Sequence, residues 1–259
     1  MTEKKLLHSK IIGDGRPLII LHGLLGMGDN WISFARKMAD QGFQVHLIDQ
    51  RNHGRSFHED EINYEVMVED LKNYMDFHQI NQADILGHSM GGKTAMFFAL
   101  KHPEKVNKLV VVDISPKYYP PHHSFIFEAI KSVPLHLTSR KEIEKIIDEK
   151  IQNKAITGFI LKNLKREKNK GFTWKPNMEI LENSLEELGE ALPPLSIIDK
   201  PVLFIKGEKS PYISQADFPL IKAHFPQALI KTIPRSGHWV HAEQPLIFNE
   251  EISDFLKKS

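Results

Sequence analysis

Residues 87 to 94, Gly87-His88-Ser89-Met90-Gly91-Gly92-Lys93-Thr94, fit two catalytic patterns at once. Read as GxSxG they form a nucleophile elbow, in which Ser89 sits on a sharp strand-to-helix turn and presents its hydroxyl to an acyl carbon. Read as GxxxxGK[ST] they form a phosphate loop, in which Lys93 and Thr94 serve the phosphates and magnesium of a nucleotide. Both patterns need a buried strand before them and a helix after them, and Ala83 to Leu86 and Thr94 to Lys101 supply both. An apolar run ending in an acid, Leu109 to Asp113, even supplies a Walker B look-alike.

The rest of the chain favours the elbow. A serine hydrolase of that type also needs oxyanion donors, an acid and a histidine, in the chain order Ser, Asp or Glu, His. His22-Gly23-Leu24-Leu25-Gly26 follows an apolar run, where a loop must offer a backbone N–H; Leu24, with Met90 just after the nucleophile, is the expected donor pair. Ser236-Gly237-His238-Trp239 places His238 on a loop near the C-terminus, as general base. A phosphate loop explains neither segment, would follow three strands, and finds no arginine cluster to assist phosphoryl transfer.

The elements around these residues alternate between strand and helix. Apolar runs at 17–21, 43–48, 83–86, 108–112, 201–205 and 228–233 read as strands ending in polar loops. Helical spacing runs from Tyr64 to Ile80 and from Pro245 to Leu256. Such alternation implies a parallel sheet covered on both faces. The stretch 117–195 breaks the rhythm. It shows no convincing buried strand, Ser139 and Glu142 form a capping-box signature ahead of Ile143, Ile146, Ile147 and Ile151, and helical spacing recurs from Met178 to Leu192. We expect one domain, 1–259, with a helical insertion at 117–195 lying over one edge of the sheet.

Composition removes several function classes. A net charge of +1 gives no basic field for nucleic acid. The absence of cysteine excludes disulfides and thiolate chemistry, and fits a reducing compartment. Met1 to Lys5 lacks the apolar stretch of a signal peptide, and no run approaches the ~20 apolar residues of a membrane span, so a cytoplasmic protein is expected. The histidines show no HxxxH or HExxH spacing, and His122-His123 lies in a Pro-rich loop, so no metal site is expected. Oligomeric state is not set by the sequence.

Five segments together resemble the α/β-hydrolase superfamily: His22 to Gly26, Asp49 to Ser56, Gly87 to Gly92, Val111 to Pro116 and Ser236 to Trp239. In detail they are similar to the small esterases of the YbfF and ABHD11-like group. The resemblance implies an α/β-hydrolase fold, with a mostly parallel eight-stranded sheet flanked by helices and 117–195 at the cap position. It also implies hydrolysis of small-molecule esters of simple acyl chains without a cofactor. Many members carry the acid in a GxxD segment after the seventh strand, but here that segment is Gly207-Glu208-Lys209-Ser210. A hydroxyl cannot stabilise an imidazolium as a carboxylate does. The expected acid is therefore Asp113, which resembles the alternative acid site of the YbfF-like group, with Ser210 as a hydrogen-bonding support and Glu208 and Asp217 as fallbacks.

His22, His53 and His88 are expected to be structural, and Trp174 and Phe172 to belong to the core of the insertion. The function expected is serine esterase action on short to medium acyl chains through an acyl-enzyme. Thioesterase, carbon–carbon hydrolase or lyase chemistry on the same fold are the alternatives. A non-catalytic ligand receptor and a phosphate-loop NTPase rank below them.

Overall fold

The structure, a computed structural model, describes residues 5–168 and 171–257. Met1 to Lys4, on which much of the signal-peptide expectation rests, lie outside the described residues. The strands are β1 (Ser9–Ile12), β2 (Arg16–Leu21), β3 (Phe43–Ile48), β4 (Ala83–His88), β5 (Val106–Val112), β6 (Leu164–Glu167), β7 (Gly171–Trp174), β8 (Val202–Gly207) and β9 (Leu229–Ile233). The helices are α1 (Ile32–Ala39), α2 (Tyr64–Phe77), α3 (Met90–Lys101), α4 (Ser124–Lys131), α5 (Arg140–Ile151), α6 (Lys154–Leu161), α7 (Met178–Asn183), α8 (Phe218–His224), α9 (Val240–Glu243) and α10 (Pro245–Lys257).

Seven strands form one sheet in the order β1-β3-β2-β4-β5-β8-β9, parallel throughout except for β1. Alternation along β2 explains why both faces are covered. Leu18 and Ile20 pack with Trp31, Phe34 and Met38 of the α1 region and Phe248 and Ile252 of α10. Ile19 and Leu21 join the other core, with Met67 and Leu71 of α2 and Met96 and Phe98 of α3.

Two expectations need correction. The described residues hold seven strands in this sheet, where eight were implied. Ahead of β1 the backbone of His8 is already engaged: its N–H donates to Ser56 Oγ (2.8 Å) and its carbonyl accepts from Asp49 N–H (2.9 Å). These bonds extend the antiparallel pairing of β1 with β3 into the 49–56 loop. The second correction concerns 117–195, which is not wholly helical. It holds α4 to α7, but also the antiparallel pair β6 and β7. Each of these strands has four residues, and Lys165 and Arg166 are exposed, so no apolar run announces them. The α-helix from Met178 also stops early, at Asn183, and only a 3-10 turn at Glu187–Gly189 follows before Leu192.

Candidate active site

Ser89 follows β4 directly and precedes α3, with φ 52° and ψ −121°, a conformation non-glycine residues adopt only where their surroundings impose it. Its N–H donates to Val112 O (3.0 Å), and its side chain does not cap the helix, which leaves the hydroxyl available. The flanking glycines allow the helix to start so close to the sheet. A Cβ on Gly87 would lie 2.2 Å from Gly91 O, and one on Gly91 would lie 2.3 Å from Leu21 O.

Asp113, just beyond β5, is fully buried and also has a positive φ of 53°. Three donors converge on its carboxylate: Gly207 N–H on Oδ1 (3.0 Å), and Ser210 Oγ–H and His238 Nδ1–H on Oδ2, the last at 2.7 Å. With Nδ1 donating to Asp113, the lone pair of a neutral His238 lies on Nε2. Neither fallback acid sits in this arrangement. Asp217 receives Lys117 Nζ on both oxygens at 2.9 Å, and Glu208 accepts the N–H of Arg235 at 2.7 Å.

The loop after β2 is held by histidines that stay neutral. His22 Nδ1–H donates to Gly23 O (2.8 Å) while its Nε2 accepts from Gln50 N–H (3.0 Å), and burial pushes its pKa down to about 4. His53 Nε2 accepts Leu25 N–H (3.1 Å) while its Nδ1–H donates to Arg51 O (2.9 Å); burial brings it to about 3. Asp49 accepts Gly28 N–H (2.6 Å) and Arg55 N–H (2.9 Å), so the 49–56 loop frames the 22–28 loop. Within that frame lies Leu24. Met90 is the first residue of α3, where a backbone N–H has no intrahelical acceptor. His88 lies buried beneath, its Nε2–H donating to His238 O (2.9 Å), and burial keeps it well below the usual imidazole range.

Two cavities meet at Ser89. The larger, about 660 Å³, is also lined by His238, Trp239 and Phe159. The smaller, about 40 Å³, includes Met90, Lys93 and Leu188. Ser89, Leu24, His122, His123 and Tyr212 border both. Tyr212 is the residue that sequence reasoning missed. Its ring stacks on His238 at 4.1 Å and 19°, its O–H donates to His122 Nε2 (2.7 Å), and its oxygen accepts from His123 Nε2–H (3.1 Å). No local motif marks a tyrosine that meets its partners only through the fold.

The phosphate-loop reading does not survive. Residues 90–94 are helical, Thr94 Oγ1 donates back to Met90 O (3.1 Å), and Lys93 Nζ donates to Lys117 O (2.6 Å) and Glu190 O. Among the described residues no cluster of His, Asp or Glu could hold a metal, and no helix is long and apolar enough to cross a membrane. Phe172 is buried in the core cluster and Trp174 packs against it.

Residues 16–143 match the family described as alpha/beta hydrolase fold. The sn-1-specific diacylglycerol lipase ABHD11 of Danio rerio is 38% identical over 253 residues, spanning 95% of this chain and 80% of that protein. Esterase YbfF of Escherichia coli (strain K12) is 34% identical over 233 residues, 88% of each chain. A solved structure titled marine microorganism esterase superposes with a TM-score of 0.94 at 44% identity, covering 97% of this chain and 100% of that one. The chain therefore belongs to the α/β-hydrolase family, in its YbfF and ABHD11-like group.

Proposed function

We propose that the protein hydrolyses carboxylic esters through an acyl-enzyme on Ser89. The observation that carries this reading is the 2.7 Å pairing of Asp113 with His238, beside a cavity that also holds the strained Ser89. His238 Nε2 takes the Ser89 proton as Oγ adds to the ester carbonyl, then gives it to the departing alcohol. Asp113 fixes the imidazole tautomer and stabilises the imidazolium, with Ser210 and Gly207 holding the carboxylate. The N–H groups of Leu24 and Met90 receive the oxyanion, an interaction worth ~10²- to 10³-fold per donor in such sites. Water then repeats the sequence on the acyl-enzyme. Segment 117–195 acts as a cap: its Phe125, Ile156 and Phe159 line the larger cavity. Names of related proteins, two esterases and a diacylglycerol lipase, support ester substrates.

Fluorophosphonate labelling with an ester panel tests the reading. Wild-type protein should label at one serine, and Ser89→Ala should lose the label together with ~10⁴-fold or more of ester turnover. Turnover undiminished in Ser89→Ala would end the serine mechanism. Including matched thioesters and a diacylglycerol in the panel separates ester hydrolysis from its nearest alternatives.

A further inference from the structure

We propose that the two cavities divide the ester between them, the small one taking a short acyl group and the large one a bulky apolar alcohol. This rests on the esterase reading above and assigns its substrate class.

The assignment follows from where the proton must go. In the tetrahedral intermediate the former carbonyl carbon bears Ser89 Oγ, the oxyanion, the alcohol oxygen and the acyl chain. Collapse breaks the bond to the alcohol oxygen, which must receive the Ser89 proton from His238. The alcohol thus lies on the His238 side. His238 borders only the large cavity, and Met90, one of the two oxyanion donors, only the small one. The acyl chain is left to the side that lacks the histidine. Water then adds to the acyl carbon by the same proton path, releasing the carboxylic acid and restoring Ser89, so no co-reactant beyond water is needed.

Size and rigidity then set the chemistry. A volume of about 40 Å³ holds roughly three water-sized groups, at about 10–15 Å³ each, which suits an acyl group of two to four carbons. Its walls are fastened: Tyr64 O–H donates to Leu188 O (2.6 Å), and Lys93 donates to Lys117 O and Glu190 O. Backbone movement that widens the pocket on this side breaks these hydrogen bonds. The large cavity, about 660 Å³ and bordered by Phe125, Ile156, Phe159 and Trp239, offers an aromatic or branched alcohol an apolar surface. Gly158 also lines it, and a Cβ there meets nothing within 4 Å.

The experiment measures kcat/KM for 1-naphthyl acetate, butanoate and octanoate, and for methyl and benzyl acetates, on wild type, Leu188→Ala and Gly158→Trp. Wild type should lose ~10-fold or more between butanoate and octanoate, since even one unaccommodated methylene can cost that much, and should accept benzyl acetate at least as well as methyl acetate. Leu188→Ala should recover octanoate turnover without altering the ratio between alcohols. Gly158→Trp, which adds a side chain in open space, should depress benzyl relative to methyl acetate and leave the acyl profile unchanged. Octanoate preferred by wild type, or Gly158→Trp shortening the acyl range while Leu188→Ala changes the alcohol range, would overturn the assignment. Failure of the esterase reading is distinguishable in the same samples, because no ester of the series would then be turned over, whether or not fluorophosphonate labels Ser89.

Discussion

Asp113 carries the sharpest residue-scale test. If it orients His238, Asp113→Asn should keep the fold yet lower kcat by up to ~10⁴-fold, because an amide favours the wrong imidazole tautomer. Glu208→Gln and Asp217→Asn should leave kcat close to wild type, since their carboxylates serve Arg235 and Lys117 instead. Ser210→Ala should fall between, losing a hydrogen bond to a charged group worth about 1.5–3 kcal/mol. Steady-state kinetics on the four variants would place the acid elsewhere if Asp113→Asn proved mild. Ser89, Leu24, Met90 and His238 stand out in the sequence because each occupies a motif next to a strand. Asp113 is harder to see, since an acid ending an apolar strand is common, and only the Ser210 departure in the usual acid segment directs attention to it. Tyr212 is invisible at this scale: its contacts with His238 and His122 span 26 and 90 residues of chain.

Lys93 shows how one element can govern another. It rides on α3, directly after the elbow, yet its ammonium donates to carbonyls at Lys117 and Glu190, near the two ends of the 117–195 segment. Burial lowers its pKa to about 7, so the attachment is made by a group that gives up its proton readily. Lys93→Met should therefore loosen both junctions. Amide exchange near 117–120 and 186–190 should accelerate while the central strands stay protected, with each lost hydrogen bond costing about 0.5–1.5 kcal/mol locally. Unchanged exchange there would mean the lysine merely fills space. Six strands of the main sheet are legible within a few residues because apolar residues dominate them, even where Gln44 and His46 interrupt β3 and Lys231 and Thr232 interrupt β9. β1 is not, since as an edge strand it alternates little and is largely exposed. Nor is α1, which carries no motif residue, although Trp31, Phe34, Ala35 and Met38 have helical spacing.

For the molecule as a whole, buried imidazoles set the acid limit of stability. Burial holds His22 at about 4, and His53, His123 and His241 at about 3, against 6.5 for each when exposed. Between pH 6.5 and about 4 the unfolded chain binds protons that the folded chain refuses, so stability falls as pH falls. Each such histidine adds a slope of up to ~1.4 kcal/mol per pH unit. Urea denaturation at several pH values should show midpoints declining steeply below about pH 6. A midpoint constant down to pH 4.5 would contradict the neutral assignment of these rings. Composition bears on net charge and on the absence of cysteine, but nothing in it reveals the cavities, which exist only between elements distant in sequence.

The pairing of Asp113 with His238 joins residues 125 positions apart, and this has a consequence for biosynthesis. At about 5–20 residues per second, the segment that will bear the proposed base leaves the ribosome roughly 6–25 s after Asp113 does. During that interval a nascent chain already contains the serine, its glycine-lined turn and the oxyanion loop, but no base to draw off the hydroxyl proton. On the mechanism proposed above, an unfinished polypeptide is silent toward esters, and turnover begins only when β8 and β9 dock and the histidine that follows β9 reaches Asp113.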